Sequence, residues 1–377
     1  MTTLLHEAQV CVIGAGVMGA SAAFHLAERG TDVLILEQGL PGLEASGATA
    51  GTLALQNKKP AAIPLVLRAL DLWARLSERL DADVEYEVRG GFRVAHTDED
   101  VARLEDDVRT QRALGVATEV VYQPQLAAAA PYLSPAVQAG SYCAADGLAN
   151  PFATVRAFLQ AARRHGARLA AECRVRAIEA RGDYDFRLDT DRGEIRCSTV
   201  VAAAGAWNLE VARMIGVTLP VHTELLQALI TDFGPPLFSH VVMHVRGNLT
   251  LKQQRVTGKV LIGGAWPGDG RRETGQKRVR RESLVGNLKW AAETVPALER
   301  TRLLRGWVGY EGRSPDKLLL SGPMGPPGFY VIGCSGGGFT LSPIAGQIAA
   351  EYVVDGRPSI PCDAFNVQRF LGAPAGR

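Results

Sequence analysis

The chain has 377 residues, a formal net charge of +2, 47% hydrophobic and 21% charged residues, a make-up that suits one large globular domain or two lobes on a shared core. So small a charge gives no general attraction to nucleic acid or to an anionic membrane surface, and no apolar run reaches bilayer-spanning length. Met1 to Glu7 lacks the basic-then-apolar pattern of a secretion signal, and Cys11, Cys143, Cys173, Cys197, Cys334 and Cys362 form no Cys-x-x-Cys pair, which argues against zinc or a cysteine-ligated iron–sulfur cluster and makes the cytoplasm the expected compartment.

The first predicted unit is strand–helix–strand. Val10 to Ile13 is apolar, Gly14-Ala15-Gly16-Val17-Met18-Gly19 follows, Ala23, Leu26 and Ala27 keep helical spacing up to Gly30, and Val33 to Leu36 ends in Glu37 and Gln38. In such a unit Gly14 allows the tight turn, Gly16 lets a pyrophosphate approach the backbone, and Gly19 lets helix and strand pack closely. Glu37 is placed to accept hydrogen bonds from ribose hydroxyls, and the absence of an Arg beside it disfavours a 2′-phosphate. The small-residue loop Gly42 to Thr52 can wrap an anionic or flat ligand.

Ile63 to Leu80 is predicted as an amphipathic helix, Gly90 to Ala95 as a strand, and Asp98 to Leu114 as a helix with a solvated charged face. Gln123 to Pro135 is taken as a connection between lobes. Turn chemistry at Asp146 to Pro151 leads into a helix over Phe152 to His165. Arg168 to Ala170, Val175 to Ile178 and Val200 to Ala206 then suggest a return to the first sheet. An excursion from about Gly216 to Arg302 carries candidate strands His222 to Thr231, Val241 to Gln254 and Val256 to Gly263 of an antiparallel sheet. The basic patch from Arg271 to Arg281 is either an exposed helix end or a docking surface for an acidic partner. Gly328 to Gly333 is a strand, Cys334 to Phe339 a glycine-rich turn, and Ser342 with Pro343 is the expected start of a helix running to about Val354.

Taken in this order, Gly14 to Gly19 with Glu37, the Ala45-Ser46-Gly47 to Gly51 loop, Ala203 to Trp207, Arg313-Ser314-Pro315-Asp316 and Gly333 to Pro343 resemble the D-amino-acid-oxidase superfamily of flavoproteins. The branch is that of glycine oxidase and sarcosine oxidase. The loop over 45–53 is also similar to that of opine oxidase and hydrogen cyanide synthase subunits, and proline and hydroxyproline dehydrogenases belong to the same circle. The resemblance implies an α/β fold with a Rossmann-like FAD-binding domain (1–85, 140–215 and 303–377) and a discontinuous antiparallel-sheet substrate domain (86–139 and 216–302). It implies contacts to FAD from Gly14, Ala15, Gly16, Val17, Met18, Gly19, Glu37 and Gln38. Further contacts would come from Ser46, Gly47, Ala48, Thr49, Ala50, Gly51 and Thr52, from Val175, and from Ala204, Gly205 and Trp207. Gly336, Gly337, Gly338, Phe339 and Thr340 would lie near the flavin ring, where a helix N-terminus favours negative charge on the reduced ring. Leu318 to Ser321 offers no cysteine for covalent attachment and Cys334 is not expected to supply one, so noncovalent FAD is expected.

The implied chemistry is hydride transfer from the α C–H of an amine to flavin N5, in which orientation matters more than an acid–base pair. The expected substrate is glycine, a proline-type or an opine-like amino acid. Two departures from the family stand out. Glu311 occupies the position where an Arg would grip the substrate carboxylate. Either the substrate presents a cation there, or Arg313, Lys252 or a shifted register supplies the partner; Glu311 simply pairing with a neighbouring Arg is the third reading. Lys252 and Gln254 alternate onto one face of a candidate strand that this fold places near substrate. The second departure is that no lysine is expected near the flavin, since the strand over 259–264 looks apolar there and Thr340 replaces another. That favours a dehydrogenase passing electrons to a partner protein or quinone over an oxidase using O2. The loop Gln56 to Lys59 is a lid or a partner contact, and His222 and His244 are structural. The rivals are an NAD-dependent dehydrogenase, which leaves the second glycine turn unexplained, and a flavin-bearing electron-relay subunit. Peripheral membrane association through a partner is the one departure foreseen from the cytoplasm.

Overall fold

The structure, a computed structural model, describes residues 7–333 and 335–371. From Val10 onward the first strand, Glu7–Ile13, is buried on both faces. It pairs in parallel with Val33–Leu36 on one side and with Gly193–Ala202 on the other. A parallel strand between two neighbours must be apolar on both faces, which is why Val10-Cys11-Val12-Ile13 shows no alternation. The sheet runs in the order Val175–Gly182, Asp185–Thr190, Gly193–Ala202, Glu7–Ile13, Val33–Leu36, Arg168–Ala170. Phe329–Gly333 joins it in parallel beside Gly193–Ala202, and Leu320–Pro323 joins antiparallel beyond that. Helices Val17–Glu28, Ile63–Trp73, Pro151–Arg164 and Gly338–Val354 cover one face through a single apolar cluster. Helix Pro151–Arg164 opens on Asn150, whose side chain accepts from the N–H groups of Phe152 and Ala153, with Pro151 at the first helical position.

The second sheet runs Leu303–Arg313, His222–Thr231, Val260–Gly263, Thr250–Gln253, Val241–His244, Gly91–Ala95, Ala139–Cys143, Thr118–Tyr122. Its edge strand Leu303–Arg313 leans on the small-residue loop of the first lobe. Trp307 donates to the Ala48 carbonyl at 3.0 Å, and Gly309 faces the Ala48 methyl group. Ion pairs Lys277–Glu44 (2.7 Å) and Arg272–Glu210 tie the lobes together.

Several sequence expectations change. The substrate sheet is mixed, because Val241–His244 pairs in parallel with Gly91–Ala95. Val241 to Gln254 is a hairpin of two strands, since Gly247 turns the chain at φ +77° and its N–H bonds to the His244 carbonyl. The strand expected from Val256 begins at Val260. Residues 139–143, placed from 140 onward in the first lobe, pair with Gly91–Ala95 and Thr118–Tyr122 of the second sheet, and Leu303–Arg313, also placed in the first lobe, pairs with His222–Thr231 of that sheet. Gln123 to Pro135 therefore connects neighbours within that sheet and carries the short helix Gln125–Ala129. The helix expected over 63–80 breaks into Ile63–Trp73 and Leu76–Arg79. The basic patch forms the hairpin Asp269–Arg271 and Gln276–Arg278, with Lys277 and Arg272 committed to the inter-lobe ion pairs.

The last long helix starts at Gly338, so Ser342 is not its cap and Pro343 lies inside it. Proline removes the N–H that would bond the Phe339 carbonyl. The Ser342 hydroxyl donates to that carbonyl instead, at 2.9 Å, and the helix continues.

Burial holds two histidines neutral. His25 is pushed down to about 3 and His244 to about 4, in both cases chiefly by burial. Unfolded, each would titrate near its ordinary value of about 6.5, so the unfolded chain binds more protons over the interval below that value. Stability present above about pH 6.5 is therefore expected to fall progressively as pH drops toward about 4. Urea midpoints at about pH 7 and about pH 5 check this; equal midpoints would contradict it.

Candidate active site

One cavity of about 430 Å³ runs between the lobes. Gly14, Gly16, Val17 and Met18 line it, as do Glu37, Gln38, Cys173, Arg174 and Val175. Gly14 sits at φ +107°, and a Cβ there would stand 2.6 Å from the Ala203 carbonyl oxygen. A Cβ on Gly19 would stand 2.0 Å from the Gly14 carbonyl oxygen. These contacts fix helix Val17–Glu28 against the strand ends and aim its N-terminus into the cavity. The Glu37 carboxylate is oriented by the N–H groups of Ala15 and Gly39, both at 2.8 Å. Ser46 Oγ accepts from the Val17 N–H at 2.9 Å and tacks the small-residue loop onto the same helix start.

The same cavity also meets Gly336, Gly337, Gly338, Phe339 and Thr340, where helix Gly338–Val354 begins beside Met18. Neither helix has an acidic residue in its first turn, and neither Gly16 nor Gly337 supplies a side-chain cap. Both therefore present partial positive charge to the cavity. The phosphates and electron-rich ring of FAD match this pair of termini. The residues present fit the cofactor, because one continuous cavity joins the two glycine turns.

Of the other expected contacts, Ser46, Ala48, Thr49, Ala50, Thr52, Ala204, Gly205 and Trp207 also line the cavity. Ala15, Gly19, Gly47 and Gly51 do not; they shape the surrounding backbone. Cys334, considered for flavin attachment, lies outside the described residues. Cys11, Cys143, Cys173, Cys197 and Cys362 are buried free thiols.

Glu311 and Arg313 stand in the cavity wall on the strand Leu303–Arg313. Register places Glu311 directly opposite Glu224, a repulsive cross-strand pair. Arg313 bridges both carboxylates at 3.1 Å, and His222 adds a contact to Glu224 at 3.2 Å. Burial raises the Glu311 carboxyl above the ordinary carboxylate range, and Arg313 opposes that shift. Glu311 thus has a neighbouring Arg as partner and still lines the cavity, while Arg313 already has two acidic partners.

Lys252 and Gln254 do not line the cavity. Lys252 is buried, and its ammonium donates to the Ala149 carbonyl at 3.2 Å beneath Gly51; burial pulls it down to about 8. The strand ends at Gln253, so alternation does not carry Gln254 onto the face of Lys252. The Gln254 amide oxygen accepts from Thr257 within the turn. His244 packs on His96 and Trp290, away from the cavity.

Two of the wall residues that sequence reasoning missed bear on the chemistry. Gln227 is buried, lines the cavity, and has a side-chain N–H group without a partner among the described residues. Lys58 reaches the cavity from the loop read as a lid or partner contact, so a cation does stand in this wall. That loop is anchored rather than free: Gln56 is 1% exposed and bonds Gly91, Asp146, Ser141 and Gln111. A buried glutamine just before Asn57-Lys58 was the available signal, but its burial depends on strands far away in the chain.

Residues 9–352 match a protein family described as FAD dependent oxidoreductase. Glycine oxidase of Geobacillus kaustophilus (strain HTA426) is 28% identical over 380 residues, covering 98% of this chain and 99% of that protein. A crystal structure of glycine oxidase from Geobacillus kaustophilus superposes with a TM-score of 0.90 at 26% identity, covering 97% of this chain and 100% of that one. An opine oxidase subunit of Rhizobium meliloti is 25% identical, with 97% and 98% covered. The crystal structure of L-proline dehydrogenase from P. horikoshii gives a TM-score of 0.88 at 25% identity, with 97% and 98% covered. No described helix is long and apolar enough to cross a membrane.

Proposed function

This chain belongs to the FAD dependent oxidoreductase family, and from that premise we propose that it oxidises the C–N bond of an amino acid or secondary amine to an imine. The observation that carries the reading is one cavity bordered by two bare helix N-termini, with Lys58, Glu311 and Arg313 in its wall. Noncovalently bound FAD supplies the two-electron acceptor. The protein's own task is orientation. Glu311 and Lys58 offer opposite charges to an amine and a carboxylate, while Gln227 has an N–H group left to donate.

Glycine oxidase, an opine oxidase subunit and L-proline dehydrogenase as relatives support glycine, an opine-like or a proline-type amino acid as substrate. That the opine oxidase relative is one subunit of its enzyme supports electrons leaving to a partner protein or quinone. A second reading, with O2 as acceptor, is favoured by one observation, the Lys58 cation in the cavity wall, which offers electrostatic help to superoxide.

The test is the flavin spectrum of the purified protein, followed by anaerobic bleaching with a panel of glycine, sarcosine, proline and opines. Bleaching by one of them is expected, and a flavin that none reduces would defeat the proposal. Stopped-flow mixing of the reduced enzyme with air then separates the acceptors. Mass spectrometry of the denatured chain is expected to show the unmodified mass; retained flavin would refute noncovalent binding.

A further inference from the structure

We propose that Lys58 Nζ, Ser335 Oγ and the start of helix Gly338–Val354 at Gly337 form a built anion subsite in the cavity, a subsite that rests on the amine-oxidation reading above and gives it a carboxylate-bearing ligand or an anionic ring edge. Lys58 Nζ lies 3.0 Å from where a Cβ on Gly337 would be, so the ammonium stands over the helix N-terminus. The helix has 17 residues and no side-chain cap from Gly337. Independently, Ser335 is 7% exposed, lines the same cavity, and its hydroxyl has no hydrogen-bond partner among the described residues. A cation, an unpartnered hydroxyl and a helix N-terminus meeting in one wall share one complement, a negatively charged oxygen group.

The lysine is held there rather than drifting. The buried carboxylate of Asp146 accepts from the Leu55 N–H at 2.7 Å and from the Gln56 amide at 2.9 Å, fixing the chain just before Lys58. Asp146 is thus a positioning residue. Among the described residues Lys58 forms no ion pair, so its charge is left to the cavity. Asp146, from the turn before Gly147, and Glu311, from the edge strand, face it through space; the guanidinium of Arg313 borders the same turn at Gly336. Burial brings Lys58 down to about 8 against the pull of Asp146 and Glu311, and burial brings Asp146 up to about 6. Lys58 therefore carries its positive charge at neutral pH and loses it as pH rises through about 8.

Two sources share this chemistry: the carboxylate of a bound amino acid, and the negative edge of reduced flavin. The experiment titrates FAD-bound wild type, Lys58→Met, Lys58→Arg and Ser335→Ala with benzoate, followed by the flavin absorbance, and measures each flavin's midpoint potential. Expected is a saturable benzoate signal that weakens at least ~tenfold in Lys58→Met, a loss of about 1.4 kcal/mol, and a smaller weakening in Ser335→Ala. Wild-type binding should fade above about pH 8, whereas Lys58→Arg should bind to higher pH, a rescue that a packing role would not produce. Weakened benzoate with an unchanged potential identifies the carboxylate as occupant; a lowered potential with unchanged benzoate identifies the flavin edge. If Lys58→Met moves neither quantity, or the wild type binds no benzoate and its potential equals that of the variant, the subsite is overturned. Bleaching of that same enzyme by an amine would leave the proposed oxidation standing, so the two failures are distinguishable.

Discussion

Replacement of Gly19 by valine is expected to give a protein that purifies without FAD. A Cβ at this position would stand 2.0 Å from the Gly14 carbonyl oxygen and 3.2 Å from the Ala203 methyl group. Both neighbours belong to strand ends that cannot swing aside, since Gly14 and Ala203 are themselves in contact. The helix must therefore back away from the sheet, at a cost of about 1–3 kcal/mol for an overpacked site. Moving it withdraws the N-terminus that faces the cavity and breaks the bond from Val17 to Ser46. Flavin content per chain, read from the visible spectrum, checks the outcome, with circular dichroism confirming that the chain is folded. Gly182→Ala serves as the control, because nothing lies within 4 Å of its added Cβ. A yellow Gly19→Val protein with wild-type flavin content would mean that this helix start does not hold the cofactor.

Glu311→Gln is expected to lower turnover at least ~tenfold while FAD stays bound, a loss of about 1.4 kcal/mol of transition-state stabilisation. The substitution keeps the shape and removes the charge. Glu311 faces Glu224 across the strands with Arg313 between them, so the variant also relieves a like-charge pair. Stability should hold or rise slightly even as activity falls, an opposition that separates a role in the site from a role in folding. The acid limb of the pH–rate profile should report a group above the ordinary carboxylate range in the wild type, because burial raises Glu311, and it should vanish in the variant. FAD is retained because Gly14 to Gly19 and the Ser46 anchor remain intact. Unchanged kinetics would remove Glu311 from the chemistry and leave it as a partner of Arg313 alone.

Much of the cofactor half of the site was legible in the residues themselves. Gly14, Gly16, Glu37, Ser46 and the Gly336 to Thr340 turn were marked by sequence and meet in one cavity. The substrate half was much less so. Lys252 looked like a site residue because strand alternation permits it, yet its face turns beneath Gly51 rather than into the cavity. Lys58 looked like part of a loose loop, and it is fixed by Asp146, 88 positions further along the chain. The expectation that no lysine stands near the ring rested on the strand over 259–264 and on Thr340, whereas Lys58 joins the cavity wall from a different segment.

What the amino-acid order by itself determined are the strand–helix units and their glycine turns, since hydrophobic period and the steric demands of a missing Cβ act between close neighbours in the chain. Only tertiary structure decided that Val241–His244 runs parallel to Gly91–Ala95, that Glu224 opposes Glu311, and that Lys58 rather than Lys252 reaches the cavity. Each of those outcomes depends on the register of strands brought together from distant segments, and on which charges the fold then buries, and no local pattern records either.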